Sequence, residues 1–192
     1  MTTSSNTTST EASEPGRDSA AADASIRERQ GNPFTRSAKG GRALSALMLP
    51  FFLALPPAGF GVLTTTGRRT GKRRRKCVRV MRRGGEAYVV MLGPALLGET
   101  GPAAVSGWLW NIRANPRVSL RIRGGTFSGV ARELTDEGEK RRAREVYCGA
   151  VNWFDYLECD FHLGGRPTRE RIERLHCHWF DTGIPLVVEL SA

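Results

Sequence analysis

The pattern of apolar and polar residues changes along the chain, and the predicted secondary structure changes with it. Residues 1–24 contain no aliphatic side chain larger than alanine after Met1, so they cannot contribute to a packed core. An uncharged run from Ala43 to Gly67 follows, but prolines and glycines interrupt it and argue against one continuous membrane-spanning helix. We predict a helix from about Arg42 to Ala54 and a buried strand from about Phe60 to Thr66.

Short strands with alternating apolar positions come next, and glycine pairs join them into two predicted hairpins. The first combines Cys77–Arg82 with 87–92 and the second combines 118–123 with 126–134, each turning at Gly-Gly. Helices are predicted at about 106–114, 135–147 and from 168, and a last strand at 184–190. Hairpins in the middle, strands from both ends and few helices predict a mainly β fold with flanking helices (α+β), built as an antiparallel barrel.

Composition refines this outline to one domain in a reducing compartment. We predict a disordered tail at 1–40 and a single folded domain at 41–192, a length that suffices for a core. Neither a basic start nor an apolar stretch near residue 1 indicates a secretory signal, so we expect a cytoplasmic protein. The four cysteines (Cys77, Cys148, Cys159 and Cys177) show no CxxC pairing and are interpreted as reduced thiols.

Positive charge is concentrated in one stretch of the chain. The net charge is +10, and ten basic residues fall between Arg68 and Arg83. Seven of them, from Arg68 to Lys76, flank Gly67 and Gly71, and we predict that they lie in a loop between two strands. Backbone N–H groups and guanidinium groups in such a loop can bind a phosphate. The alternatives are that these residues form a solvated basic surface, bind nucleic acid or bind anionic lipid. The scarcity of exposed aromatic residues among them and the absence of a familiar nucleic-acid-binding module argue against specific nucleic-acid binding.

Two segments give this anion site a more definite interpretation. Residues 63–72, LTTTGRRTGK, followed by Arg74, and residues 108–116, WLWNIRANP, resemble the two signature segments of the deazaflavin (F420)-dependent nitroreductase family. The resemblance extends from about Phe60 to Leu134 and includes the closing strand. It implies a split β-barrel of the flavin-binding kind and an oxidoreductase that transfers hydride from reduced F420 to a small organic acceptor, a quinone or a nitro compound.

The resemblance also implies individual cofactor-binding residues. The phosphate and carboxylates of the cofactor tail would contact Arg68, Arg69, Thr70, Gly71 and Arg74. Trp108 and Asn111 would lie beside the cofactor, with Asn111 holding the loop as an alternative role, and Cys77 would lie next to the deazaflavin ring. Two positions depart from the family pattern: Cys77 stands where proline is common, and residues 92–96 replace a Ser-Lys-Gly type of loop.

The C-terminal part supplies the candidates for acceptor binding and proton transfer. Aromatic residues between 153 and 161 could stack on a planar acceptor, and Tyr156 or His162 could donate the proton that follows hydride transfer. Cys159, His162 and the His176–His178 run suggest zinc, but His176 and His178 would point to nearly opposite sides of a helix, so we expect no metal.

Several alternatives remain open from the sequence. The same barrel could bind FMN instead of F420, and a basic protein without enzyme activity could bind nucleic acid or an anionic membrane. The apolar helix at 42–55 is a candidate for peripheral membrane contact, which would make the protein membrane-associated. The oligomeric state is not predicted.

Overall fold

A computed structural model describes residues 38–92 and 105–191 of the chain. The elements within these residues are, in chain order, α1 (Ala38–Ala54), β1 (Phe60–Thr66), β2 (Arg73–Arg83), β3 (Glu86–Met91), α2 (Gly107–Ala114), β4 (Arg117–Ile122), β5 (Gly125–Glu133), α3 (Glu137–Gly149), α4 (Trp153–Leu163), α5 (Arg169–Thr182) and β6 (Ile184–Leu190). Nearly all of the predicted tail at 1–40, and most of the 92–96 loop, lie outside the described residues.

The six strands form a closed antiparallel barrel in the order β1-β2-β3-β6-β5-β4, with β4 pairing back onto β1. Alternate strand residues point inward, and aliphatic side chains such as Leu63, Val80, Val89 and Leu120 fill the interior. Both predicted hairpins are present, and the last strand has the predicted bounds. The mainly antiparallel barrel with flanking helices is confirmed.

Helices cover the outside of the barrel. α3 and α5 pack on each other and on the wall made by β2, β3 and β6, where Tyr88, Tyr147 and Phe180 are buried together. α1 packs against the outer face of β1 and β2, where Phe52 contacts Phe60 with ring centroids 5.8 Å apart. α1 therefore lies against the side wall of the barrel rather than over its mouth.

Strand β2 is longer at its start than the sequence predicts. Residues Arg73–Arg75 pair with Thr64–Thr66 of β1, so the connecting loop is limited to residues 67–72, and the prediction that all seven basic residues lie in a loop is wrong. Strand geometry then separates the charges. Arg74 shares the inward face with Val78, whereas Arg73 and Arg75 share the outward face with Cys77, which packs beneath α1.

Although the barrel is closed, β2 and β3 pair over a short stretch, which leaves an opening between them at the start of β2. These strands pair only from Val80 to Arg83 on β2, so residues 73–79 of β2 have no described strand on that side. The N–H of Cys77 points into this opening and donates to Ser45 Oγ of α1 at 3.0 Å. The opening places beside the basic loop a strand edge that pairs with no described strand.

Helix α4 was not predicted from the sequence. It begins with a capping box, in which the Asn152 N–H donates to Asp155 Oδ2 at 2.6 Å and the Asn152 side chain accepts from the backbone. Asp155 is buried, whereas Trp153, Tyr156, Leu157 and Phe161 are exposed. α4 contacts α5 and reaches the start of β1, where Phe154 packs on Phe60 with ring centroids 4.8 Å apart.

Candidate functional site

The loop at residues 67–72 is a tight turn built on two glycines. The Gly67 N–H donates to the Lys72 carbonyl at 2.9 Å, and the Gly67 carbonyl accepts from the N–H groups of Thr70 and Gly71 at 3.2 and 2.8 Å. Gly71 has φ of +64°, a left-handed conformation that glycine adopts without strain. A Cβ at Gly67 would lie 3.0 Å from the Lys72 carbonyl oxygen, so the loop closes this tightly only with glycine there.

Asn111 of α2 fastens this loop to the barrel. Its Oδ1 accepts from the Arg68 N–H and its Nδ2 donates to Thr65 Oγ1, both at 3.1 Å. Asn111 and Thr65 are both buried, so these bonds are shielded from water. The amide is engaged by the protein at both ends, which supports its role in holding the loop.

The arginines of this region have few partners within the protein. Arg69, Arg73, Arg74 and Arg75 are exposed, and none of them forms an ion pair with a carboxylate of the described residues. Arg74 lies close to the loop, since a Cβ at Gly67 would be 3.5 Å from its Nε. The Arg68 guanidinium lies over the Trp110 ring, 5.6 Å from the centroid.

Cys77 and Trp108 lie on different surfaces of the barrel, and Cys77, which pairs with Val62, is closer to the start of β1 than to the loop. Cys77 is half-buried beneath α1, where its Sγ donates to the Ser45 carbonyl at 3.5 Å. Burial raises the pKa of the Cys77 thiol, against smaller lowering effects of Ser45 and Lys76, so the thiol is protonated at neutral pH. Trp108 is half-buried on α2, three residues before Asn111, and packs against the barrel interior.

The two candidate proton donors lie at the other end of β1. α4 contacts Phe60, whereas the basic loop follows Thr66, and a strand of this length spans about 20 Å. Tyr156 is exposed. The ring of His162 packs on Trp179 with centroids 5.1 Å apart, and burial lowers the pKa of His162 to about 4. The structure does not bring either side chain to the loop.

A second charged cluster, which the sequence does not predict, lies buried under α4 and α5. Arg79 of β2 is 7% exposed and makes a very short ion pair with Asp155. Its Nη2 lies 2.9 Å from His176 Nδ1 and donates to the Ala150 carbonyl at 2.9 Å. Its guanidinium also faces the Tyr147 ring, 5.3 Å from the centroid. Arg79 therefore belongs to the packing of the helices rather than to the exposed basic surface.

This cluster bears on the question of a metal. Asp155, Glu158 and His176 place ligand atoms within 4.8 Å of one another, but the Arg79 guanidinium already supplies the positive charge among them. Burial, followed by the charge of Arg79, lowers the pKa of His176 to about 2, so its ring is neutral and accepts from Arg79. His176 and His178 are both buried on α5. Arg79 and Asp155 thus form an ion pair that His176 and the Ala150 carbonyl support, while Arg79 Nε and Glu158 Oε2 have no hydrogen-bond partner among the described residues.

The chain is similar to one known protein family and, more distantly, to several solved structures. The model of a protein family described as F420H(2)-dependent quinone reductase matches residues 53–158. Among solved structures, an F420-H2 dependent reductase (FDR-A) is 21% identical, with a TM-score of 0.42 and coverage of 69% of this chain and 95% of that one. A heme binding protein from Mycobacterium smegmatis is 14% identical, with a TM-score of 0.43 and coverage of 73% and 49%.

The assignment depends on the family model, which spans more than half of the chain. The matched segment contains β1 to β5, the basic loop, Asn111 and the start of α4. It includes both segments that carry the resemblance found in the sequence, and the cofactor implied there is confirmed. This chain belongs to the F420H2-dependent quinone reductase family and is an oxidoreductase that uses coenzyme F420.

Proposed function

We propose that the loop at 67–72 holds the anionic tail of F420, with Arg68, Arg69 and Arg74 binding its phosphate and carboxylates. Thr70 and Gly71 shape the loop, and Asn111 keeps it on the barrel. The observation that supports this most directly is the set of exposed arginines without carboxylate partners among the described residues, beside a glycine turn that accepts no further side chain at Gly67. Bidentate guanidinium contacts suit phosphate and carboxylate groups.

The deazaflavin ring, in this proposal, lies between the loop and the opening at β2. Cys77 borders that opening and Trp108 lies on the neighbouring helix α2. Reduced F420 supplies the hydride, and the protein binds and orients the acceptor while excluding water. The acceptor is a quinone, and a nitro compound is the second candidate. Cys77 carries a protonated thiol, which offers a small, polarisable neighbour to a ring rather than a nucleophile.

Reduction of a quinone also requires a proton. We propose Tyr156 as the first candidate donor, because it is exposed on α4 beside other aromatic residues. His162 is the second candidate, and its pKa of about 4 leaves it neutral at neutral pH, which makes it a weaker acid catalyst. Tyr156→Phe should therefore lower kcat more than His162→Gln, measured as quinone-dependent oxidation of F420H2.

The tail-binding proposal is tested with two cofactors and two arginines. Arg74→Ala should raise the Kd of F420 at least about tenfold, since a charge-assisted contact contributes about 1.5–3 kcal/mol. The Kd of the tailless deazaflavin, which lacks the phosphate and glutamates, should not change. Arg75→Ala is the matched control, because Arg75 is the next residue on the same strand but faces outward.

Screening at about 0.15 M salt should keep the effect of Arg75→Ala small. If both variants weaken F420 binding equally, the loss reflects general charge rather than a contact of Arg74. If Arg74→Ala weakens tailless and tailed cofactor alike, the tail assignment is wrong. Isothermal titration calorimetry gives all four constants on the same protein preparations.

We further propose that the outer faces of α1 and α4 contact a membrane surface. Leu47 and Phe51 of α1, and Leu55 directly after it, recur every fourth residue, and Trp153, Leu157 and Phe161 do so on α4. Each set therefore lies on one exposed stripe. The two helices are neighbours, because the Phe52 and Phe154 ring centroids lie 5.9 Å apart. Arg73 and Arg75 lie on the outward face of β2 that α1 covers, and arginines attract anionic headgroups.

This contact would be interfacial rather than spanning. In the described part of the chain, no helix is long and apolar enough to cross a bilayer. Flotation with vesicles that contain anionic lipid should recover the wild-type protein, and Leu157→Glu should reduce the bound fraction severalfold. Val130→Glu is the matched control, because Val130 is 44% exposed on β5, away from both helices. Equal binding by both variants would contradict the proposal.

A further inference from the structure

Two cysteines face each other across the contact between α3 and α5. Arg144 of α3 forms a two-point ion pair with Asp181 of α5, with both contacts at 2.7 Å. Cys148 lies four residues after Arg144, and Cys177 lies four residues before Asp181. When two helices run antiparallel, moving one turn forward on one helix and one turn backward on the other leads from one facing pair of residues to the next. The ion pair therefore fixes the register that brings the thiols together.

The contact between the thiols agrees with this register. The Cys148 thiol donates a hydrogen bond to the Cys177 sulfur, and both side chains pack in the layer that contains Tyr147 and Phe180. Cys148 is buried, whereas Cys177 is half-exposed. One sulfur is accessible to a small reagent, and the other stands directly behind it.

The surroundings activate the accessible sulfur. The hydrogen bond from Cys148 lowers the pKa of Cys177, and the charge of Arg144 adds to this effect against the opposing effect of burial. The same hydrogen bond, followed by burial, raises the pKa of Cys148. A thiolate is the reactive form toward oxidants, and a neighbouring thiol can resolve the first oxidised product.

We propose that Cys148 and Cys177 form a hydroperoxide-sensitive thiol pair that closes to a disulfide between α3 and α5. The Cys177 thiolate attacks the distal oxygen of the hydroperoxide; the O–O bond breaks, and the alkoxide takes up a proton and leaves as an alcohol, or as water from hydrogen peroxide. The Cys148 thiol then attacks the sulfenic sulfur, an S–S bond forms, and the oxygen leaves as water. The two thiols lose two electrons in total, and the hydroperoxide gains them.

The other two cysteines provide controls within the same chain. Cys77 is half-buried like Cys177, but its hydrogen-bond partner is Ser45 rather than a thiol. Cys159 is buried at 1% exposure, and burial raises its pKa. The proposal therefore predicts that Cys77 can be oxidised or alkylated but acquires no partner, and that Cys159 stays unmodified in the folded protein.

The test uses the full-length reduced protein, treated with hydrogen peroxide, alkylated and digested without reductant. Trypsin leaves Cys148 and Cys159 in one peptide, residues 145–169, so a second digestion with chymotrypsin, which cleaves between them, is needed. Mass spectrometry should find a Cys148–Cys177 linked peptide in most molecules, and dithiothreitol should remove it. Alkylation of untreated protein should modify Cys177 at least about tenfold faster than Cys159.

Variants define what contradicts the proposal. Cys148→Ser should abolish the linked peptide and leave a sulfenic acid at Cys177 that dimedone traps, whereas Cys77→Ser should still form the Cys148–Cys177 link. Wild-type protein whose Cys177 becomes sulfenic or sulfinic acid without forming the link would overturn the proposal. So would a link from Cys177 to Cys159, or links only between chains. The wild-type digest decides this even if a variant fails to fold.

Discussion

Arg74 and Arg79 lie five residues apart on β2, yet their surroundings differ completely. Arg74 is exposed beside the glycine loop, and no carboxylate of the described residues pairs with it. Arg79 is buried, with Asp155, His176 and the Ala150 carbonyl around its guanidinium. Arg79 has its charged and polar partners within the protein, so its charge stabilises the packing of the helices on the barrel. Arg74 has no such carboxylate partner among the described residues, so its guanidinium is available to a bound anion.

The largest expected effect on the free energy of unfolding comes from substitution of the buried arginine, Arg79. Arg79→Met should lower the free energy of unfolding by about 3–5 kcal/mol, since it leaves Asp155 buried without its partner. Arg75→Ala, on the exposed run of the same strand, should change it by no more than about 0.5 kcal/mol. Urea denaturation followed by tryptophan fluorescence measures both. A cost below about 1 kcal/mol for Arg79→Met would show that the cluster is not required for helix packing.

An intermediate effect is expected at Asn111, which joins the loop to the barrel. Asn111→Ala should cost about 1–3 kcal/mol in unfolding free energy, because it leaves the Arg68 N–H and the Thr65 hydroxyl without this partner. It should also weaken F420 binding without removing any charge. Thr65→Val is the control that breaks only the second of these bonds.

If Thr65→Val leaves F420 binding intact while Asn111→Ala weakens it, the bond to the Arg68 N–H is what positions the loop. Equal weakening by both variants would assign the positioning to the bond between Asn111 and Thr65. Unchanged F420 binding in both variants would mean that the loop reaches its binding conformation without Asn111. Calorimetric titration and denaturation on the same samples separate binding from stability.

The last expected effect depends on pH and concerns Glu158, the remaining acid of the buried cluster. Burial raises the pKa of Glu158 from 4.5 to about 7, against the opposing charge of Arg79, and its Oε2 has no described hydrogen-bond partner. The folded chain therefore retains a proton that the unfolded chain loses, and this contribution to stability declines as the pH rises from 4.5 to about 7. Glu158→Gln removes that decline.

The histidines give the opposite pH dependence. Burial lowers the pKa values of His162 and His176 from 6.5 to about 4 and about 2, so stability falls as the pH decreases below 6.5. Both histidines are present in the Glu158→Gln variant, so the difference between the variant and the wild type reports Glu158 alone. The variant should match the wild type near pH 4.5 and be more stable near pH 8, as measured by thermal unfolding at both values. A constant difference between the two proteins across this range would mean that Glu158 does not titrate there.

The contrast between the two arginines also shows where sequence reasoning succeeds. Strand alternation and the Gly-Gly turns predict both hairpins and the closing strand, because those features are local. The basic run from Arg73 to Lys76 is read as a loop because like charges disfavour strands, but pairing with the β-branched Thr64–Thr66 overrides this preference. Arg79 is grouped with the exposed arginines because its partner Asp155 lies 76 residues away.

Helix α4 escapes prediction for a related reason. Its apolar side chains at 153, 157 and 161 face outward, while Asp155 is buried, which reverses the usual amphipathic pattern. The spacing of Asn152 and Asp155 does match a capping box, so the start of α4 could have been found from its cap rather than from its apolar residues.

The opening between β2 and β3 has a consequence for self-association. Over residues 73–79, β2 offers backbone groups that no described strand occupies, and such an edge can recruit a strand from another copy of the chain. The like charges of Arg73, Arg74 and Arg75 on this edge oppose that pairing, since a second copy would bring the same charges against them. Arg74, which we propose binds the cofactor tail, thus also protects the strand edge together with Arg73 and Arg75. High salt, which screens all three charges, is the condition in which the cofactor-free chain is most prone to aggregate.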